Sequence, residues 1–146
     1  VNGITEQKCS TSDVSANLNI LAKPIQGLSK AFGPTSIPTG SGVSIMYIEL
    51  YNNTGADWTN VVIPDSFPSG MFLETTATGG TCAGSTVNLT AGTVGSATPD
   101  TTVGIGIPSL PSGQWCTVTL RVKGEVTATS TLNNTIPNNV ITQNGV

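Results

Sequence analysis

Turn-forming residues interrupt this chain so often that only short extended segments fit between them. The interruptions are Pro34, Pro38-Thr39-Gly40, Asn52-Asn53-Thr54-Gly55, Pro68-Ser69-Gly70, Gly79-Gly80 and Pro111-Ser112-Gly113. Each supplies a fixed φ, a tolerated positive φ or a local side-chain hydrogen bond that ends a regular element. Between them lie runs rich in Val, Ile, Thr and Tyr. Strands are expected over Val43–Asn52, Trp58–Ile63, Gln114–Lys123 and Val126–Ile136, with weaker ones over Met71–Thr76, Thr86–Thr90 and Thr102–Ile107. No window carries apolar residues at helical spacing. A chain of 146 residues is long enough for one domain with a real core. So many short strands in it imply an all-β fold, an immunoglobulin-like antiparallel β-sandwich, over residues 23–146. Residues 1–22 read as an N-terminal arm, in which 10–19 are a linker running into an extension strand at Leu18–Ala22.

Alternation along these strands places three polar side chains where apolar ones belong. In Leu28-Ser29-Lys30-Ala31-Phe32, Lys30 shares a face with Leu28 and Phe32. Asp65 follows Val61 and Ile63 on one face, and Asn134 lies between Leu132 and Ile136 on another. An amine, a carboxylate and an amide aimed at one core must satisfy one another or cost several kcal/mol. The same three groups can also react, with the amine attacking the amide while the acid moves the proton. Lys30, Asn134 and Asp65 are therefore candidates for an internal cross-link, and Asp65 is preferred over Glu49, which falls on the opposite face of its strand. The alternatives are an unreacted Lys30–Asp65 pair with Asn134 as hydrogen-bond partner, or a Lys30 that reaches out to solvent.

Strand Val43–Asn52 has a second apolar face. Met46, Ile48 and Leu50 point one way; Val43, Ile45, Tyr47 and Tyr51 point the other, with Glu49. Such a stripe marks either a contact surface or a face covered by another part of the chain. Val43, Ile45, Tyr47 and Tyr51 are the interface candidates.

Three cysteines are present. Cys82 and Cys116 flank central β segments and are expected to pair, closing a loop worth about 4 kcal/mol in the chain-entropy account and implying an oxidising compartment. Cys9 is then spare, either as a free thiol on the arm or as a bond to another chain. Sequons occur at Asn52, Asn88 and Asn133, candidates for glycosylation in a secreted protein.

Charged residues are 9% of the chain, against about 25% in ordinary soluble domains. A subunit embedded in an assembly, or a glycosylated one, tolerates so few. The net charge of −3 gives no electrostatic reason to bind nucleic acid, and no apolar run approaches the roughly 20 residues of a membrane helix. The sequence has no initiator Met and no signal peptide, as expected of a processed product or an excised segment. With no histidine, Ser-His-Asp and Cys-His arrangements and histidine-based zinc sites are excluded. Glu49, Asp57, Asp65, Glu74 and Asp100 are scattered and suggest no paired acid and base. No enzyme activity, metal or cofactor is expected.

From Leu28 to about Gly145 the chain resembles the DUF11-like and related prokaryotic immunoglobulin-like repeats of large surface proteins. The resemblance rests on Leu28-Ser29-Lys30-Ala31-Phe32-Gly33-Pro34, Pro38-Thr39-Gly40, Ile48-Glu49-Leu50-Tyr51-Asn52 with Gly55, and Asp65-Ser66-Phe67-Pro68-Ser69-Gly70-Met71. It continues through Thr81-Cys82-Ala83-Gly84, Leu110-Pro111-Ser112-Gly113-Gln114-Trp115-Cys116-Thr117-Val118 and Asn134-Thr135-Ile136-Pro137. Phe67 stands where a leucine is usual, and the arm with Cys9 lies outside the pattern. The resemblance implies a sandwich with a stacking or adhesive role at the cell surface, and it fits the Cys82–Cys116 pairing.

The expected function is an extracellular structural subunit or repeat of a surface filament or adhesin, its partners other copies of itself or neighbouring repeats. The arm's Asn2-Gly3-Ile4-Thr5-Glu6-Gln7 echoes Asn139-Val140-Ile141-Thr142-Gln143, as expected if the arm is a copy of a C-terminal strand, cut from a repeat array or supplied to a neighbour's open sheet edge. The alternative is a module binding carbohydrate or another surface ligand, with Tyr47, Tyr51, Trp58 and Trp115 as a stacking platform for surface glycans.

Overall fold

The computed structural model describes residues 27–38, 42–126, 130–137 and 141–144. The arm, with Cys9 and the strand expected at Leu18–Ala22, lies outside the described residues. Seven strands form: β1 Gly27–Gly33, β2 Val43–Tyr51, β3 Trp58–Ser66, β4 Met71–Gly80, β5 Thr86–Ala91, β6 Thr102–Leu110 and β7 Trp115–Gly124. They make two antiparallel sheets, ordered β1-β2-β7-β4 and β3-β6-β5. The protein is an all-β sandwich.

Alternation dictates which side chains fill the space between the layers. Met46, Ile48 and Leu50 from β2, Val118, Leu120 and Val122 from β7, Val61 and Ile63 from β3, and Val103, Ile105 and Ile107 from β6 are all buried. Burying each such side chain stabilises the fold by about 1.5–3 kcal/mol before chain entropy is counted. The disulfide Cys82–Cys116, both halves buried, ties the connection after β4 to the start of β7. Beside it β4 passes unusually close to β7. A Cβ on Gly80 would lie 2.1 Å from the Thr117 carbonyl oxygen, and Gly80 has φ +97. Only glycine fits there.

The four-plus-three layering is that of immunoglobulin domains, but one place is exchanged. In the constant-type order the fifth strand stands between the second and fourth; here β7 stands there. The strand expected over Val126–Ile136 does not form among the described residues: the β7 ladder ends at Gly124, and residues 130–136 join neither sheet. Residues 130–137 nevertheless alternate: Leu132, Asn134 and Ile136 are half-buried while Asn133 and Thr135 are exposed. Leu132 and Ile136 pack against the core. Beyond them, Thr142 pairs with Val62 through two backbone bonds, and Asn144 bonds Thr59, so the C-terminal segment lengthens the β3 edge.

Candidate functional site

One flank of the sandwich is where β4 nears β5. On the other, β1 and β3 are the outer strands of facing sheets, and the expected trio meets between them. Lys30 sits mid-β1, opposite Ile48 in β2, while Ser29 pairs with Glu49 on the outer face. This register turns Lys30 inward and Glu49 outward. Asp65 ends the inward row Val61-Ile63-Asp65 of β3. Lys30 Nζ donates to Asp65 Oδ2 at 2.6 Å, and Asn134 Nδ2 donates to the same oxygen at 3.2 Å. Asn134 Nδ2 also lies 3.8 Å from Met46 Sδ.

The cluster is dry. The Lys30 side chain is 12% exposed and that of Asp65 0%. Burial holds the Lys30 amine below the ordinary lysine value of 10.5, opposed by the hydrogen bond and charge of Asp65. Two acceptor atoms, Asp65 Oδ1 and Asn134 Oδ1, are buried with no hydrogen-bond partner among the described residues. Buried polar groups are mostly hydrogen-bonded; an acid oxygen and an amide oxygen in this cluster have no partner among the described residues. An amine and a primary amide on one carboxyl oxygen are the nucleophile, electrophile and proton carrier of a transamidation.

The remaining candidates divide. Asn88 and Asn133 are exposed and accessible for glycosylation. Asn52 is not, which corrects the expectation for that sequon: it is 0% exposed. Its Nδ2 donates to the carbonyls of Ala56 and Leu110, and its Oδ1 accepts from the backbone N–H and hydroxyl of Thr54. On the outer face of β2, Tyr47 is 41% exposed, while Val43, Ile45 and Tyr51 are half-buried in the middle of the sheet. The Tyr47 ring lies over Gly33, where a Cβ would stand 3.2 Å from it, so β1 covers part of the stripe. Trp115, 53% exposed, pairs in register with Tyr51. Trp58 is buried and donates its indole N–H to Thr54, so it drops out of any surface platform.

Sequence reasoning missed two features. Asn52-Asn53-Thr54-Gly55 was legible as a turn, but not as a buried hub. On the outer face of β4 and β7, Glu74 bonds Arg121 at 2.5 Å and Lys123 at 3.1 Å. Those hydrogen bonds, Arg121's first, hold its carboxyl below the usual range. Cross-strand charge spacing in the β7 alternation was the available signal.

No curated protein and no solved structure matches this chain. A family described only as a domain of unknown function, DUF7933, matches residues 26–146, from just before β1 to the last residue. That span takes in the whole sandwich and all three members of the buried cluster, and the chain belongs to this family.

Proposed function

We propose that this domain is a load-bearing structural unit outside the cell, a subunit or repeat of a surface filament or adhesin joined to copies of itself or to neighbouring repeats. The observation that carries the reading is the buried Lys30–Asp65–Asn134 cluster. Tension applied to the two ends of the described domain pulls first on β1 and on the segment after residue 130. Those are the parts the cluster fastens to each other and to β3. A clamp there resists peeling from both ends at once. The resemblance to DUF11-like surface repeats, the low charge content and the disulfide support the same reading.

The β3 edge suggests how units join. The chain's own Thr142 already adds to that edge, and the arm repeats the Ile-Thr of Ile141-Thr142 as Ile4-Thr5. An arm from a neighbour, taking the place of residues 141–144 on that edge, would join units head to tail by backbone hydrogen bonds. Two experiments test the reading. Antibody labelling of intact cells, viewed by electron microscopy, should decorate surface polymers; label found only inside the cell overturns it. A chain lacking residues 1–22 should lose assembly, and undiminished assembly removes the donor role.

A second reading has one observation in its favour: Tyr47 and Trp115 stand partly exposed on the outer face of one sheet, which suits stacking against a sugar ring. A glycan array answers it, and signals no higher than background discard it.

A further inference from the structure

We propose that Lys30 and Asn134 become joined by an amide bond that the folded domain makes itself, with Asp65 as the acid–base group. This deepens the load-bearing reading, and the two fail separately: the mass of the chain decides the bond, and cell-surface labelling decides the role.

The geometry supplies each part of the reaction. Asp65 Oδ2 holds both nitrogens, Lys30 Nζ at 2.6 Å and Asn134 Nδ2 at 3.2 Å. The amine and the amide are thus held on one carboxyl oxygen, that of a fully buried Asp65 side chain. Proximity of this kind replaces a slow bimolecular encounter. The Lys30 ammonium first passes a proton along its bond to Asp65, giving a neutral amine and a neutral acid. The change creates no net charge, and burial favours the uncharged forms. Rotating the Asn134 amide by half a turn brings Oδ1, which has no partner among the described residues, to where Nδ2 now sits, as acceptor of the acid's proton. The lysine nitrogen then attacks Asn134 Cγ, and the acid stabilises the developing oxyanion. Collapse breaks the original Cγ–N bond after that nitrogen has taken a proton from the attacking amine by way of the carboxyl. One C–N bond forms, one breaks, and one ammonia leaves. No oxidant, metal or cofactor enters the balance. Asp65 Oδ2, already 2.6 Å from Lys30 Nζ, is then placed to accept the new amide's N–H.

The consequence is topological. With residues 30 and 134 joined, tension entering before β1 and leaving after residue 134 passes through the new bond. Residues 31–133, with the whole disulfide loop, lie outside the load path.

Intact mass of the purified chain tests this directly. The expected mass is that of the sequence less the disulfide hydrogens and one ammonia. Two Asn-Gly steps, Asn2-Gly3 and Asn144-Gly145, can also lose ammonia by succinimide formation, so the loss must be mapped. After reduction and trypsin, Lys30 should be uncut and the fragment 124–146 should stay attached to the one containing it. Lys30→Arg, which keeps the charge but not the nucleophile, and Asp65→Asn should both retain the ammonia. A wild-type mass that keeps the ammonia overturns the proposal, as does a loss that maps to Asn2 or Asn144. Full cross-linking in Asp65→Asn overturns the role given to the carboxyl.

Discussion

Replacing Asn52 by alanine should cost more than any other single polar truncation outside the Lys30 cluster. The side chain is wholly buried at the corner where β2 ends. It makes four hydrogen bonds: two donated at 2.8 Å, to Leu110 O and Ala56 O, and two accepted from Thr54. Thr54 in turn holds the Trp58 indole at 3.0 Å, so the turn from β2 to β3 is organised around one amide. Alanine leaves three of these groups within reach of water but strands the Leu110 carbonyl, whose bond to Asn52 is fully buried. Net hydrogen-bond loss is about 1 kcal/mol, and an orphaned buried carbonyl adds about 1–3. The sum is about 3 kcal/mol, which at this chain length lowers Tm by on the order of 10 °C. Asn52→Asp keeps the shape but turns a carboxylate on two carbonyls. It should be at least as damaging at neutral pH and partly relieved in acid, where the protonated group regains one donor. Urea denaturation and calorimetry provide the assay. If Asn52→Ala falls within about 0.5 kcal/mol of wild type, the range of an ordinary surface substitution, water replaces the amide freely and the hub argument is wrong.

Asn134→Ala has no amide to react, so it keeps a titratable Lys30. Its folded amine gives up a proton below 10.5, so between that lowered value and 10.5 the unfolded state holds more protons. Stability should therefore rise with pH across that window and be lost again as pH falls through the lowered value. Urea midpoints over the alkaline range should slope upward for Asn134→Ala and less so once Lys30→Met is added; equal slopes refute the burial of the amine. Replacing Cys82 and Cys116 together by alanine opens a loop of sequence separation 34. It should lower stability by about 4 kcal/mol in denaturation under oxidising conditions, and a loss below about 1 kcal/mol would mean the packing around them already fixes that loop. Expressed in a glycosylating secretory pathway, the chain should carry glycan at Asn88 and Asn133, with Asn52 unmodified once folded. Glycopeptide mapping checks this, and full occupancy at Asn52 would show that the corner is open when the sugar is attached.

The facing of side chains was legible because a strand has a period of two and nothing else about it need be known. That one rule places Lys30, Asp65 and Asn134 on the inner side, and it holds for Asn134 although residues 130–137 form no ladder. Neighbour order was not legible. Alternation says which face a residue takes but not which strand lies beside it, so the exchange that puts β7 between β2 and β4 left no local trace. The sequon at Asn52 misled for a related reason. Asn-x-Thr followed by Gly is both a glycosylation triplet and a side-chain-bonded turn, and only the burial of the corner chooses between them.

The two fastenings divide the work along the sandwich. Where β4 nears β5, Gly80 lets β4 lie close against β7 and the disulfide at Cys116 holds the connection that follows. On the opposite flank, β1 and β3 belong to different sheets. Backbone hydrogen bonds cannot cross between layers, which lie about 10 Å apart. Among the described residues, that flank is closed by side chains and by residues 130–137 and 141–144. An apolar closure there would resist separation through contacts that are lost gradually as the layers part. A charged and amide cluster resists through short directional bonds that must break together, and a covalent amide does not yield at all. A domain needing only solubility and a core gains little by placing a lysine there, since a buried ion pair is often no more stabilising than apolar residues of the same volume. The pair is best understood through its third member: with Asn134 on the same carboxyl oxygen, the contact gathers the groups of the proposed amide bond at the place where β1 meets residues 130–137.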